Sequence, residues 1–144
     1  MNKDNTFYLL IVGSRQSAFT TSRYFELFTN CVDKVLENQK DKEIIIIQGG
    51  CPTGGDYLAR KYALTKGYKL EEFQADWDKY GKFAGYIRNK EMHEYISKYS
   101  NRGVFAWWDG KSKGTSHSFE LAKKYNNPIR IYNFFERKFI LKQI

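Results

Sequence analysis

The sequence contains few of the residues that stabilise secreted or metal-binding proteins. Its 144 residues include only Cys 2, Pro 2 and His 2. Cys31 and Cys51 form neither a CxxC pair nor a disulfide framework, which is typical of a protein in the reducing cytoplasm. His93 and His117 lie in different segments and lack the spacing of zinc ligands, so we expect no metal site. We also expect no resident cofactor.

Long hydrophobic runs are absent as well. The apolar runs at residues 7–12 and 44–47 are far shorter than the ~20 residues that span a membrane. Lys3 and Asp4 precede the first run, which is too short to be the core of a signal peptide. The sequence therefore predicts a cytoplasmic protein with no membrane partner.

Positive charge is in clear excess over negative charge. The chain has Lys+Arg 24 against Asp+Glu 16, a formal net charge of +8. Such an excess favours an anionic partner: nucleic acid, an acidic protein or a phosphorylated small molecule. The hydrophobic fraction of 42% and the aromatic fraction of 17% are sufficient for one folded domain over residues 1–144 and exclude a disordered tail.

Short β-rich runs alternate with longer segments of helical period. Strands are predicted at residues 7–12, 43–48, 68–74, 103–108 and 128–132. Helices are predicted at residues 20–37, 56–66, 84–99 and 116–125. This alternation predicts an α/β fold with about five parallel strands flanked by helices. The tail at 133–144 is aromatic and basic, and we assign it no element.

Three loops that follow predicted strands contain glycine, and the first and the third also carry the basic residues Arg15, Lys111 and Lys113. Because the carboxyl ends of parallel strands share one edge of the sheet, these loops are expected to converge there. Glycine lets backbone N–H groups approach a ligand, and a helix N-terminus favours an anion. The loops therefore predict a pocket for a phosphate-bearing ligand. The candidate residues are Gly13, Ser14, Arg15, Gly49, Gly50, Gly54, Gly55, Asp56, Asp109, Lys111, Lys113, Gly114 and Thr115.

Several of these candidates also have ordinary structural explanations. Asp56 and Asp109 would either bind ribose hydroxyls or serve as a helix cap and a turn former. His117, in the first turn of its helix, is expected to reach the ligand or a backbone group. Arg88 and Asn89 lie early in a helix, where a cation gains nothing from the dipole, so Arg88 is expected either to bind an anion or to be solvated.

The segment at 75–85 contains aromatic, charged and glycine residues without helical or strand period. We interpret it as a long loop that closes over the site. Trp77 and Tyr80 would then stack on the base of a nucleotide.

The same segments carry a resemblance to a known family. GSR after the first strand, GGCPTGGD after the second, ADWDKYGKFAGYIRN and AWWDGKSKGTSH together resemble the YspA-like branch of the SLOG superfamily, over about residues 7–132. The resemblance implies a single Rossmann-like domain that binds nucleotides or nucleotide-derived ligands. This superfamily includes Lonely Guy phosphoribohydrolases, sensors of NAD- or ADP-ribose-derived signals, and a single-stranded DNA binder.

The hydrolase branch of the superfamily is matched only in part. Its enzymes carry an arginine in an RKxxM motif and a glutamate in PGGxGTxxE. Arg88 and Met92 match the first motif, whereas Ser118 stands where the second has glutamate. A carboxylate is needed there as a base or to stabilise an oxocarbenium ion. If the protein is a hydrolase, Arg88 is its candidate catalytic residue, but the sequence favours binding over catalysis.

We therefore expect a stand-alone sensor or sequestering protein for a nucleotide-derived signal, of ADP-ribose, NAD-derived or cyclic-nucleotide type. The sequence ends almost where the resemblance ends, which leaves no room for a fused effector. A phage protein that sequesters a host alarm signal is one form of this hypothesis.

Two alternative functions and one further partner remain open. The first alternative is a Lonely Guy-like nucleoside monophosphate phosphoribohydrolase. The second is single-stranded DNA binding, which rests on the net charge although the basic residues are spread along the chain. A homo-oligomer, formed through the sheet edge or the helix at 20–37, is also expected.

Overall fold

The computed structural model describes residues 5–15 and 22–140. Thr20, the predicted start of the first helix, lies outside these residues, as does the end of the tail at 141–144. The strands are β1 (Thr6–Gly13), β2 (Glu43–Gln48), β3 (Lys69–Glu72), β4 (Arg102–Trp108), β5 (Ile129–Asn133) and β6 (Lys138–Ile140). The helices are α1 (Ser22–Val35), α2 (Gly54–Lys66), α3 (Trp77–Tyr80), α4 (Ala84–Ser97) and α5 (Lys113–Lys124), with a 3₁₀ turn at Gly81–Phe83.

The strands form one sheet in the order β3-β2-β1-β4-β5-β6. The first five strands are parallel, as the alternating pattern predicts, and β6 is antiparallel to β5. In the centre of the sheet Leu9 pairs with Ile46 on one side and with Gly103 on the other. The strand order reverses at β1, and ligands of such sheets bind at the carboxyl ends of the strands beside that reversal.

Both faces of the sheet are covered by helices, which explains the continuous apolar runs in β1 and β2. On one face, Phe28 of α1 and Tyr62 of α2 pack with Trp107 of β4 in a single cluster. On the other face, Met92 of α4 and Phe119 of α5 belong to a second cluster. The sheet is therefore the middle layer of a three-layer α/β/α structure. No helix in the described part of the chain is long and apolar enough to cross a membrane.

Two short elements differ from the sequence prediction. The segment at 75–85 is not a simple loop, because Asp76 caps α3 by accepting a hydrogen bond from the Lys79 N–H at 3.1 Å. The tail contributes β6, because the Asn133 side chain accepts hydrogen bonds from the N–H groups of Phe135 and Glu136 and turns the chain back along β5. The sheet thus has six strands rather than five.

Candidate ligand-binding cleft

A cleft of about 350 Å³ opens where β1 ends, beside the first turns of α4 and α5. Three separate loops and the α3–α4 segment contribute its walls. The lining residues are Val12, Gly13, Arg15, Asp56, Trp77, Lys82, Gly85, Tyr86, Arg88, Asn89, Met92, Ser112, Gly114 and Thr115. The position agrees with the rule for open α/β sheets, since the cleft lies at the reversal of strand order.

Glycines let the start of α2 touch the end of β1 directly. A Cβ on Gly13 would lie 2.7 Å from the Gly55 Cα, and a Cβ on Gly54 would overlap the carbonyl oxygen of Ser14. The Gly55 N–H donates to that same oxygen at 3.0 Å. The prediction that Gly55 offers its N–H to a phosphate is therefore wrong, because a backbone acceptor already holds it. Gly54 and Gly55 join α2 to β1.

The loop between β2 and α2 is also closed by internal hydrogen bonds. The Gln48 side chain donates to the Asp56 carbonyl at 2.9 Å and accepts from the Gly50 N–H at 2.8 Å. Gly50 has a φ of 75°, a conformation that favours glycine, and a Cβ on it would meet the Gln74 side-chain amide. Gly50 is thus a turn residue, and the prediction that it contributes an N–H to phosphate is wrong.

Asp56 both stabilises the loop between β2 and α2 and lines the cleft. Its Oδ2 accepts a hydrogen bond from the Cys51 N–H at 3.1 Å, and the residue is only 9% exposed. Burial raises the pKa of this carboxyl, while the hydrogen bond from Cys51 and the positive charge of Arg88 oppose that rise. Asp56 is the one carboxylate among the described residues that line the cleft.

Arg88 is buried beside this loop and is held by two hydrogen bonds. Its Nη1 donates to the Gly49 carbonyl at 2.7 Å and its Nε donates to the Asn89 side chain at 3.2 Å. A Cβ on Gly49 would lie 2.6 Å from the Arg88 Nη1, so a larger residue there would displace the guanidinium. Burial lowers the pKa of the guanidinium, and the nearby charge of Asp56 counteracts this effect. Within the part of the chain that the structure describes, the Arg88 Nη2 donates no hydrogen bond.

Arg15 approaches Arg88 from the opposite loop. A Cβ on Gly85 would lie 3.7 Å from the Arg15 Nη2 and 3.8 Å from the Arg88 Nη2. The Arg15 guanidinium also lies 5.6 Å from the centre of the Trp77 ring. Within residues 5–15 and 22–140, neither arginine pairs with a carboxylate within 4.0 Å. Two like charges therefore share one space, where an anion would be stabilised.

The first turn of α5 forms the wall facing the arginines. The Ser112 side chain caps the helix by accepting a hydrogen bond from the Thr115 N–H at 3.4 Å. The Asn89 amide donates to the Gly114 carbonyl at 3.4 Å, which ties α4 to α5. A Cβ on Gly114 would meet nothing within 4 Å, so this turn is open to the cleft. Its N–H groups and the helix dipole add to the positive potential.

The structure places several predicted residues outside the cleft. Asp109 accepts hydrogen bonds from the N–H groups of Lys111 and Ser112 at 2.8 and 2.7 Å, which makes it the turn former before α5. Ser14 lies behind the wall, where its hydroxyl accepts from the Asp109 N–H at 3.1 Å. The lining set contains neither Tyr80, whose ring lies 5.1 Å from the Lys79 Nζ, nor Lys111. Their predicted contacts with the ligand are not supported.

Two further predicted residues, Lys113 and His117, lie in a neighbouring groove on the outer side of α5. Conversely, Lys82, Gly85, Tyr86 and Ser112 line the cleft although the sequence argument did not select them. Ser112 had a usable signal, because a serine directly before a helix is a common N-cap. Lys82 and Gly85 belong to the segment at 75–85, which the sequence predicts over the site without singling out these two residues, and Tyr86 follows that segment in α4.

The fold is that of a Rossmann-like domain, and its cleft is positively charged. A family model, described as the YspA, cpYpsA-related SLOG family, matches residues 10–80. This match supports a member of the YspA-related SLOG family, as the sequence motifs indicate. No curated protein matches the sequence.

The chain is also similar to solved structures at low sequence identity. The Moco carrier protein of Chlamydomonas reinhardtii superposes with a TM-score of 0.58 and 16% identity, covering 89% of this chain and 76% of that chain. This similarity confirms the Rossmann-like architecture. A predicted subunit of a tRNA methyltransferase from Methanocaldococcus jannaschii has 15% identity over 85% of this chain and 66% of that chain, with a TM-score of 0.39. That score is too low to support an argument.

Proposed function

We propose that this protein binds a phosphate-bearing, nucleotide-derived small molecule in the cleft and acts as a sensor or a sequestering protein. The observation that carries the proposal is the convergence of the Arg15 and Arg88 guanidinium groups on one space without a partner carboxylate within 4.0 Å in the described chain. Two such groups recognise phosphate oxygens through charge-assisted hydrogen bonds. The first turn of α5 supplies further donors on the opposite side.

The rim of the cleft suits an aromatic group attached to the phosphate. Trp77 is 49% exposed and lines the cleft, with Arg15 on its ring. A half-exposed indole that is already paired with a cation provides a face on which a base stacks. The expected stacking by Trp77 therefore remains part of the proposal, whereas Tyr80 is replaced by Tyr86, which lines the cleft and is 44% exposed.

The relatives are consistent with binding of a small molecule. Membership in the SLOG family supports a ligand site in this fold. The structurally similar Moco carrier protein is, by its name, a carrier of such a molecule. An ADP-ribose- or NAD-derived signal, or a cyclic nucleotide, is the specific ligand type that we propose, and sequestration by a phage protein is one biological setting for it.

Hydrolysis of the ligand has less support in the cleft. Ser118, at the position of the hydrolase glutamate, is fully buried, so that position brings no carboxylate to the ligand. Asp56 is the remaining acidic group at the cleft, and one of its oxygens is occupied by the loop backbone. We therefore propose that Arg88 binds the phosphate and does not act as part of a catalytic pair.

The test is incubation of the protein with nucleoside monophosphates, ADP-ribose and cyclic ADP-ribose isomers, followed by chromatography before and after heat denaturation. Depletion at molar parity, with intact ligand recovered on heating, is the expected result. Free base formed by sub-stoichiometric protein would instead establish the hydrolase. Salt-dependent retention of single-stranded DNA, without any small-molecule effect, would establish nucleic-acid binding.

A matched pair of variants locates the binding in the cleft. Arg15→Gln combined with Arg88→Gln removes both charges, and we expect affinity to fall by about tenfold or more because charge-assisted hydrogen bonds are lost. Arg60→Gln is the control, since Arg60 pairs with Glu72 on another part of the surface. Equal affinity in the double variant and the control would overturn the assignment of the cleft.

Two further proposals concern the cellular location and the oligomeric state of the protein. The free cysteines Cys31 and Cys51 agree with a cytoplasmic location. A homo-oligomer formed through α1 or through the sheet edge remains our proposal for its assembly, and sedimentation of the purified protein tests it directly.

A further inference from the structure

A second cavity of about 460 Å³ lies directly beside the cleft, on the outer side of α5. Tyr86 lines both cavities. The first turns of α5 separate them: Ser112 and Thr115 face the cleft, whereas Ser116 and Glu120 face the second cavity, which we call the outer groove. The two cavities therefore adjoin at Tyr86.

The outer groove differs chemically from the cleft. Its apolar wall consists of Trp108 and Phe119, whose ring centres are 5.1 Å apart, together with Ile131. The Trp108 Nε1 donates to the Ser112 carbonyl at 3.2 Å, so the polar atom of the indole is already engaged. This wall is therefore an apolar aromatic surface on which the ring of a ligand can pack.

His117 marks the border between the two cavities. Its ring lies perpendicular to that of Tyr86 at 4.7 Å between centres, and its buried Nδ1 has no hydrogen-bond partner in the described chain. Burial lowers the pKa of His117. This shift favours the uncharged imidazole, and Lys113 and Glu120 are the charged residues that line the groove. With one positive and one negative side chain, the groove is unsuited to a phosphate.

We propose that the outer groove is a second subsite, which holds an uncharged aromatic heterocycle joined through an anionic linker to the group bound in the cleft. The inference rests on the proposed function of the cleft and adds the class of ligand. The ligand is then a two-headed molecule: a central diphosphate lies between Arg88 and the first turn of α5, one ring stacks on Trp77, and the second ring packs on Trp108. Tyr86 lies between the two rings.

The experiment compares diadenosine diphosphate with ADP by isothermal titration calorimetry. Both carry a diphosphate and an adenosine, and only the first carries a second heterocycle. We expect diadenosine diphosphate to bind about tenfold more tightly than ADP, because burial of the second ring adds apolar contact. Equal affinity of the two would overturn the second subsite while leaving the function proposed for the cleft intact. Absence of binding by both would overturn the cleft, and the subsite with it.

A variant confined to the groove makes the test specific. Ser116→Trp places a large side chain in the outer groove, and we expect it to reduce the affinity for diadenosine diphosphate to that for ADP without changing ADP binding. Lys124→Trp, on an exposed site of the same helix, is the control and should change neither affinity. If Ser116→Trp preserves the preference for the two-headed ligand, the second ring does not lie in the groove.

Discussion

Single glycines decide how closely the loops around the cleft pack. Gly54 has a φ of 70° and lies against the Ser14 carbonyl, whereas Gly67, at the end of α2, has a φ of 73° and open space around it. The two positions share the left-handed backbone conformation and differ in their surroundings. They therefore separate the effect of conformation from the effect of close approach.

We expect Gly54→Ala to lower the free energy of unfolding by ~3 kcal/mol or more, because the new methyl group must displace the Ser14 carbonyl as well as adopt a positive φ. Gly67→Ala should lower it by only ~1 kcal/mol. Urea denaturation of the two variants measures the difference. Equal losses would show that α2 can move away from β1 at little cost.

The sequence predicted much of the cleft at the scale of residues, and its errors have a physical reason. Arg15, Asp56, Arg88 and Gly114 all lie at the cleft, as expected from their places after strands or early in helices. The errors concern backbone N–H groups, as at Gly55, where a tertiary acceptor decides whether an N–H is free. Such acceptors come from distant parts of the chain, and no local pattern reveals them.

Among the elements, the long ones followed from the sequence and the short ones did not. The five parallel strands and the helices α1, α2, α4 and α5 occur where periodicity predicts them, with shifts at their ends. The elements α3 and β6 span only Trp77–Tyr80 and Lys138–Ile140. Segments this short show no hydrophobic periodicity. The helix α3 forms because the Asp76 side chain caps it, and β6 forms because it pairs with β5.

The strand β6 packs Ile140 against the core on one face of the sheet and Phe139 against the core on the other. The Phe139 ring lies 5.1 Å from that of Tyr132 and 6.4 Å from that of Phe105, with the Arg130 guanidinium 4.8 Å away on the exposed side. We expect Phe139→Ala to destabilise the protein by ~2 kcal/mol, since these contacts are lost and part of the ring is buried. The measurement is chemical denaturation.

Phe135→Ala is the matched control for this prediction. Phe135 lies in the turn before β6 and is 55% exposed, so its removal should change the free energy of unfolding by less than ~1 kcal/mol. A loss at Phe139 no larger than that at Phe135 would mean that β6 is only loosely attached to the sheet.

For the molecule as a whole, His93 links stability to pH. The side chain is fully buried, its Nδ1 is 3.1 Å from the Asn127 amide nitrogen, and its Nε2 has no partner in the described chain. Burial, together with the nearby His117, lowers the pKa of His93 to about 4. The unfolded chain takes up a proton below pH ~6.5, whereas the folded chain resists it until about pH 4.

Stability is therefore expected to be fully present above pH ~6.5 and to fall as the pH drops towards about 4. This one group contributes a loss of up to ~3 kcal/mol, since one pKa unit corresponds to ~1.4 kcal/mol. Urea unfolding between pH 7 and 4 measures the loss, and His93→Gln should have a flatter pH dependence than the parent. Parallel curves would contradict the prediction, as would an NMR titration of His93 in the parent protein with an ordinary pKa.

The two edges of the sheet are poorly suited to pairing with a strand of another copy. At one edge, β3 has the sequence KLEE, with three charged residues out of four, and at the other, β6 spans only three residues. Short, charged edge strands are poor templates for adding another strand. Another copy of the chain is therefore not expected to add a strand at either edge. Such edge-to-edge addition is the way in which exposed strands lead to fibrous aggregates. If copies associate, the helical faces are better suited to that contact than the strand edges, and α1 is the helix that we propose for it.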